Sequence, residues 1–109
     1  MDEIERLAQV FKALSDPTRL RLVKLLSENV TGAHPGEGCN GSGFLCVNAL
    51  AHRLGVTQSA VSQHLRVLRQ AGLVNSDRRG SFVHYTLAKD GLADYRSVLR
   101  ETLGEDLFG

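Results

Sequence analysis

Two cysteines and a histidine lie along one glycine-rich stretch, "GAHPGEGCNGSGFLCVN" at 32–48. His34, Cys39 and Cys46 are residue types that hold soft or thiophilic ions. The two sulfurs are seven positions apart, and the glycines between them can fold the chain back so that both meet one ion. Arsenite takes three thiolates, so His34, Glu37, Asn48, a solvent molecule or a partner's thiol would complete the shell. The same two cysteines could instead form a reversible disulfide, which requires Cα atoms within about 7 Å. A plainer reading is a surface insertion carrying two incidental thiols. Cys46 precedes a helix whose N-terminal N–H groups would favour a thiolate.

The second kind of chemistry is electrostatic. Residues 52–79 carry five arginines (53, 66, 69, 78 and 79) against a single acid, Asp77, a local balance of +4. Residues 90–109 carry five acids against two arginines, a balance of −3. The formal net charge of +1 conceals this separation. A basic middle suits phosphate contacts, which supply much of the affinity for nucleic acid and set register on the duplex.

Helices and a hairpin must position these groups. Ile4, Leu7, Phe11 and Leu14 fall at helical spacing over 2–14, with Asp2, Glu3 and Glu5 near the helix start. A second helix opens at "SDPTRLRLVKLL", with Asp16 as cap, Pro17 in the first turn and a stripe of Leu20, Val23 and Leu26, and it ends near 27–29. After the glycine-rich stretch, Val47, Leu50, Ala51 and Leu54 share one face of a short helix stopped by Gly55. Thr57 caps the next helix, Val61, Leu65 and Leu68 point inward, and Gly72 ends it. Helix, tight turn and helix over 47–71 is the spacing in which the second helix reads the major groove. Leu73–Ser76 and Phe82–Leu87 read as a β-hairpin with "DRRG" as its turn, and a last helix begins near 89–92 with Leu92, Tyr95, Leu99 and Leu103 in line.

On this frame Thr57, Gln58, Ser59, Ser62, Gln63 and Arg66 face outward near the start of the reading helix, where short and amide side chains meet base edges and phosphates. A solvated outer face of a core helix has a similar composition. His64 either touches DNA or sits half-buried in a hydrogen bond. Arg78 and Arg79, at the hairpin tip, suit phosphate or minor-groove contact. His84 is read as a packing residue.

The motifs "LSDPTRLRLVKLL", "LCVNALAHRLGVTQSAVSQHLRVLRQAGLV" and "RRGSFVHYTL" together resemble the ArsR/SmtB family of bacterial winged-helix repressors, over nearly the whole chain apart from about 30–44. The resemblance implies a mainly α fold with a small β-hairpin wing, α1-α2-α3-α4-β-β-α5. It also implies a homodimer through the terminal helices, a palindromic operator and release of DNA when an inducer binds. In metal-sensing members the segment matching "LCVNAL" often reads Cys-Val-Cys and binds arsenite, cadmium or lead; here Cys46 takes the first position and Asn48 the second. Other members bind zinc through aspartate–histidine pairs on the last helix, which here carries Asp90, Asp94, Glu101 and Glu105 and no histidine.

The expectation is a single domain, 1–109, with a glycine-rich insertion at about 30–44. Its function is a DNA-binding repressor that releases a double-stranded operator when cysteine thiols sense a soft metal or metalloid, with no cofactor needed for the fold. A thiol-redox or non-metal-sensing repressor, and a winged helix used for protein–protein assembly, are the alternatives. The absence of a C-x-x-C motif and of a histidine–carboxylate constellation beside a nucleophile argues against an enzyme. The N-terminus "MDEIERLAQV" lacks the apolar core of a secretory signal, and no apolar run reaches the ~20 residues that span a bilayer, so a cytoplasmic location is expected.

Overall fold

The computed structural model describes residues 1–28 and 45–107, with the side chains of Leu45, Arg79, Phe82 and Leu107 outside that description. The insertion at about 30–44, including His34, Glu37 and Cys39, lies outside the described residues.

Helix α1, Glu3–Leu14, begins where the Asp2 carboxylate accepts the Glu5 N–H at 2.8 Å. Its buried face is Leu7, Val10 and Ala13, so the expected stripe is split: Ile4 and Phe11 stay 59% and 49% exposed. Helix α2, Pro17–Glu28, starts with proline in the first turn, where a missing N–H costs nothing. It buries Leu22 and Leu26, whereas Leu20, expected inside, is 51% exposed. The segment 20–26 has apolar residues at five of its seven positions, so periodicity leaves the inward face open and packing against α3 and α4 selects it.

Helices α3, Val47–Leu54, and α4, Gln58–Gln70, are joined by a turn in which Gly55 adopts φ +68. The Gly55 N–H donates to Ala51 O at 2.9 Å, satisfying a terminal carbonyl of α3. Val61, Leu65 and Leu68 of α4 are fully buried with Leu22, Leu50, Leu73 and Val74, and these side chains form the core.

Three antiparallel strands follow the order β1-β3-β2, with β1 at Leu45–Cys46, β2 at Val74–Arg79 and β3 at Phe82–Leu87. Two features differ from the sequence expectation. Strand β1, only two residues long, joins the hairpin through Leu45↔Tyr85 and Cys46↔His84. The hairpin turn is also tighter than "DRRG", because Asp77, Arg78 and Arg79 pair with His84, Val83 and Phe82. That leaves Gly80 and Ser81 as a two-residue turn. Gly80 has φ +63 and, among the described residues, no non-glycine residue has positive φ, the pattern of a type II′ turn. Arg78 and Arg79 are therefore strand residues, not turn residues.

Helix α5, Lys89–Leu103, packs against α1 and is followed by a 3-10 turn at Glu105–Leu107. It is anchored by the Tyr95 hydroxyl, which donates to Ala71 O at 2.7 Å. A Cβ on Gly91 would stand 2.6 Å from Gly72 O, a backbone atom with little room to retreat. Gly91→Ala should therefore destabilise despite its better helix propensity. Overpacking of this kind costs about 1–3 kcal/mol, and a loss near 1 kcal/mol lowers the Tm of a domain this size by roughly 4–8 °C. A melting curve equal to or above the parent's would show that α5 can shift to make room. Among the described residues no helix is long and apolar enough to cross a membrane.

Candidate nucleic-acid interface

The reading unit is built from its turn outward. Thr57 is the N-cap of α4, its hydroxyl accepting the Ala60 N–H at 3.1 Å. With Val61, Leu65 and Leu68 fixed in the core, the helical period turns Gln58, Ser59, Ser62, Gln63 and Arg66 to solvent, and all five are exposed. Gln58 Nε2 donates to Asn48 Oδ1 at 2.9 Å, tying the first turn of α4 to the first turn of α3. At the other end of α4, Arg69 Nη1 donates to Ser76 Oγ at 3.3 Å, linking the helix to β2 of the wing. Arg78 is exposed on β2, and Arg79 lies beside it in the chain with its side chain outside the described residues.

His64 is the exception on this helix. It is half-buried, with Nδ1 3.3 Å from Arg19 Nη1 and 4.0 Å from Asp16 Oδ2. Arg19 also donates through Nε to Ala13 O at 2.5 Å and through Nη2 to Lys12 O at 3.4 Å, so one guanidinium ties the end of α1 to α4. The Asp16 carboxylate accepts the Arg19 N–H at 3.1 Å at the start of α2. That hydrogen bond chiefly holds its carboxyl below the usual range; desolvation opposes it, while His64 in its protonated form, the Arg19 charge and the Thr18 N–H add smaller lowering effects. Arg19 and Asp16 belong to the "SDPTRL" motif, but nothing in spacing alone joins them to His64, 45 positions beyond Arg19.

Cys46 is the N-cap residue of α3, extended at φ −93 and ψ 169, and buried. It is disulfide-bonded. Its strand neighbour His84 is likewise buried, in keeping with a packing role. Asn48, at the position where a second cysteine would complete the Cys-Val-Cys pattern, is engaged by Gln58. Among the described residues no group of three or more His, Cys, Asp or Glu side chains is arranged to hold a metal ion, and two of the three expected ligands, His34 and Cys39, lie outside them.

A capped turn, an outward row of amides, hydroxyls and an arginine, and an adjoining basic hairpin form a surface able to follow a duplex groove. The sequence profile described as "Bacterial regulatory protein, arsR family" matches residues 39–76. The HTH-type transcriptional regulator MJ1325 of Methanocaldococcus jannaschii is 32% identical, covering 93% of this chain and 99% of that protein. The arsenical resistance operon repressor of Escherichia coli is 40% identical over 73% of this chain and 57% of its own length. Among solved structures, the homodimeric winged helix-turn-helix DNA-binding domain of a possible ArsR-family regulator from Mycobacterium bovis superposes with a TM-score of 0.65. It is 26% identical, over 91% of this chain and 80% of that one. The shared order of elements, the reading helix on its glycine turn and full-length similarity to such regulators lead to one conclusion: the chain belongs to the ArsR family of winged-helix DNA-binding transcriptional repressors and is not an enzyme.

Proposed function

We propose that this chain forms a homodimeric repressor that binds a palindromic operator through α4 and the wing, and releases it when thiol chemistry occurs at Cys46. The observation that carries the DNA-reading part is the exposed row Gln58, Ser59, Ser62, Gln63 and Arg66 on a helix whose opposite face is locked in the core. In this reading Gln58, Ser59, Ser62 and Gln63 meet base edges or phosphates. Arg66, Arg78 and Arg79 supply charge, Thr57 positions the first turn, and His64 stands at the edge of the interface. Dimerisation is supported by Ile4 and Phe11 on α1 and Leu103 on α5, large apolar side chains left on the surface of one chain. A two-fold dimer would set two reading helices about 34 Å apart, one turn of DNA.

Gln63→Ala and Ser62→Ala test the assignment. A lost bidentate base contact should cost about 1–3 kcal/mol at one base pair while affinity for random DNA stays near the parent's. Competition binding against single-base operator variants measures this. Equal losses on operator and random DNA would make these side chains positioning groups rather than readers.

For the inducer, the leading reading is a soft metal or metalloid ion bound by Cys46 and Cys39, with His34 as a further ligand. Support comes from the thiophilic residue types and from a relative named for arsenical resistance. One observation favours a second reading, a redox switch: Cys46 is disulfide-bonded. In that case two thiols would lose two electrons and two protons to an oxidant such as peroxide as the S–S bond forms.

A further inference from the structure

The ionisable cluster Asp16–Arg19–His64 lies where α1, α2 and α4 meet, and the DNA-reading surface does not account for it. Arginine only donates hydrogen bonds, so the 3.3 Å contact from Arg19 Nη1 requires a lone pair on His64 Nδ1. This arrangement corresponds to the tautomer that carries its proton on Nε2. The guanidinium that holds it also holds the carbonyls of Ala13 and Lys12, so α4 is tethered through His64 to the end of α1. From this geometry we infer that His64 is a positioning residue for the reading helix, and that its protonation uncouples α4 from Arg19 and lowers the selectivity of DNA binding.

A proton taken from solvent at Nδ1 removes the acceptor that faces Arg19 Nη1 and places a cation 3.3 Å from the guanidinium. The new N–H can turn to Asp16 Oδ2, 4.0 Å away. The groups described against Nδ1 both come from the α1–α2 junction, Arg19 and Asp16, with Lys12 joined through its carbonyl. Of the other elements packed on α4, α3 carries His52 and Arg53, and β2 carries Asp77, Arg78 and Arg79. Added positive charge strengthens non-specific attraction to phosphate, so charge and tether act in opposite directions. Selectivity, the ratio of operator to random-DNA affinity, isolates the tether.

This inference rests on α4 as the reading helix, and one titration separates the two claims. The full chain first selects a duplex from a random pool at about pH 7.5; failure to enrich any sequence would count against the reading surface itself. Affinities for the selected duplex and a random one are then compared from about pH 7.5 down to 5.8 at fixed ionic strength, the range in which imidazoles titrate. The ratio should fall roughly three- to tenfold for the parent, the size expected when one typical intramolecular hydrogen bond stops contributing. His64→Asn places a non-titrating acceptor near the Nδ1 position, and whatever its ratio at neutral pH, that ratio should lose most of its pH dependence. A flat parent profile, or the same slope in H64N, overturns the inference. Should H64N not fold, the parent's own NMR titration decides. The Arg19 side-chain N–H and the 60–68 amides should follow the His64 midpoint, and their independence from it would overturn the proposal.

Discussion

Cys46→Ser should abolish the response to inducer while leaving operator affinity within about twofold of the parent, well below the tenfold that 1.4 kcal/mol represents. The substitution removes the disulfide and exchanges sulfur for oxygen at a buried N-cap position, where serine is among the favoured residues, so α3 should still form. What is lost is the sulfur, and with it both soft-ion ligation and disulfide exchange. Position 46 links two parts of the DNA-binding surface, because it is the N-cap residue of the first helix of the reading unit and pairs with His84 in the wing strand β3. In the proposed function, making or breaking a bond at its sulfur would act on both together, a direct route from thiol chemistry to release. Fluorescence anisotropy with promoter DNA and added arsenite, cadmium, zinc or peroxide provides the readout. If Cys39→Ser and Cys46→Ser both respond to every compound as the parent does, sensing lies elsewhere and the glycine-rich stretch is only an insertion.

Replacing Arg78 and Arg79 together with alanine should weaken binding to all duplexes alike and flatten its salt dependence. Each phosphate contact contributes roughly −0.9 to the slope of log affinity against log salt, so losing two should make the slope shallower by nearly 2. Between low and near-physiological salt that difference corresponds to about tenfold in affinity. The two single variants then apportion the effect between these neighbouring residues of β2. If one arginine alone carries the effect, the wing meets DNA with one face. An unchanged slope in the double variant would remove the wing from the interface.

Much of this protein was legible before any coordinates. The α3–α4 reading unit follows from Gly55, Thr57 and the spacing of Val61, Leu65 and Leu68, because a C-terminal glycine, a capping hydroxyl and a 3.6-residue period are local signals. The outward row from Gln58 to Arg66 comes from the same period. The asymmetry of charge, and the three motifs that carry the family resemblance, are likewise properties of linear order.

Tertiary structure decided what depends on partners distant in the chain. Leu20 and Leu22 are chemically equal, and only packing against α3 and α4 turns Leu22 inward. Two residues are too few for a periodic signal, so β1 exists only because β3 offers Cys46 and Leu45 a hydrogen-bonding edge. The hairpin register was similarly hidden, since both "DRRG" and Gly80–Ser81 contain a residue suited to a turn, and pairing across the strands chose the shorter. His64 shows the limit most clearly. Its sequence neighbours place it on the reading helix, but its partners Asp16 and Arg19 come from the far side of the chain's longest gap in motif. Local backbone preferences are written into adjacent residues, whereas a hydrogen bond between side chains 45 positions apart exists only once the core has brought their helices together.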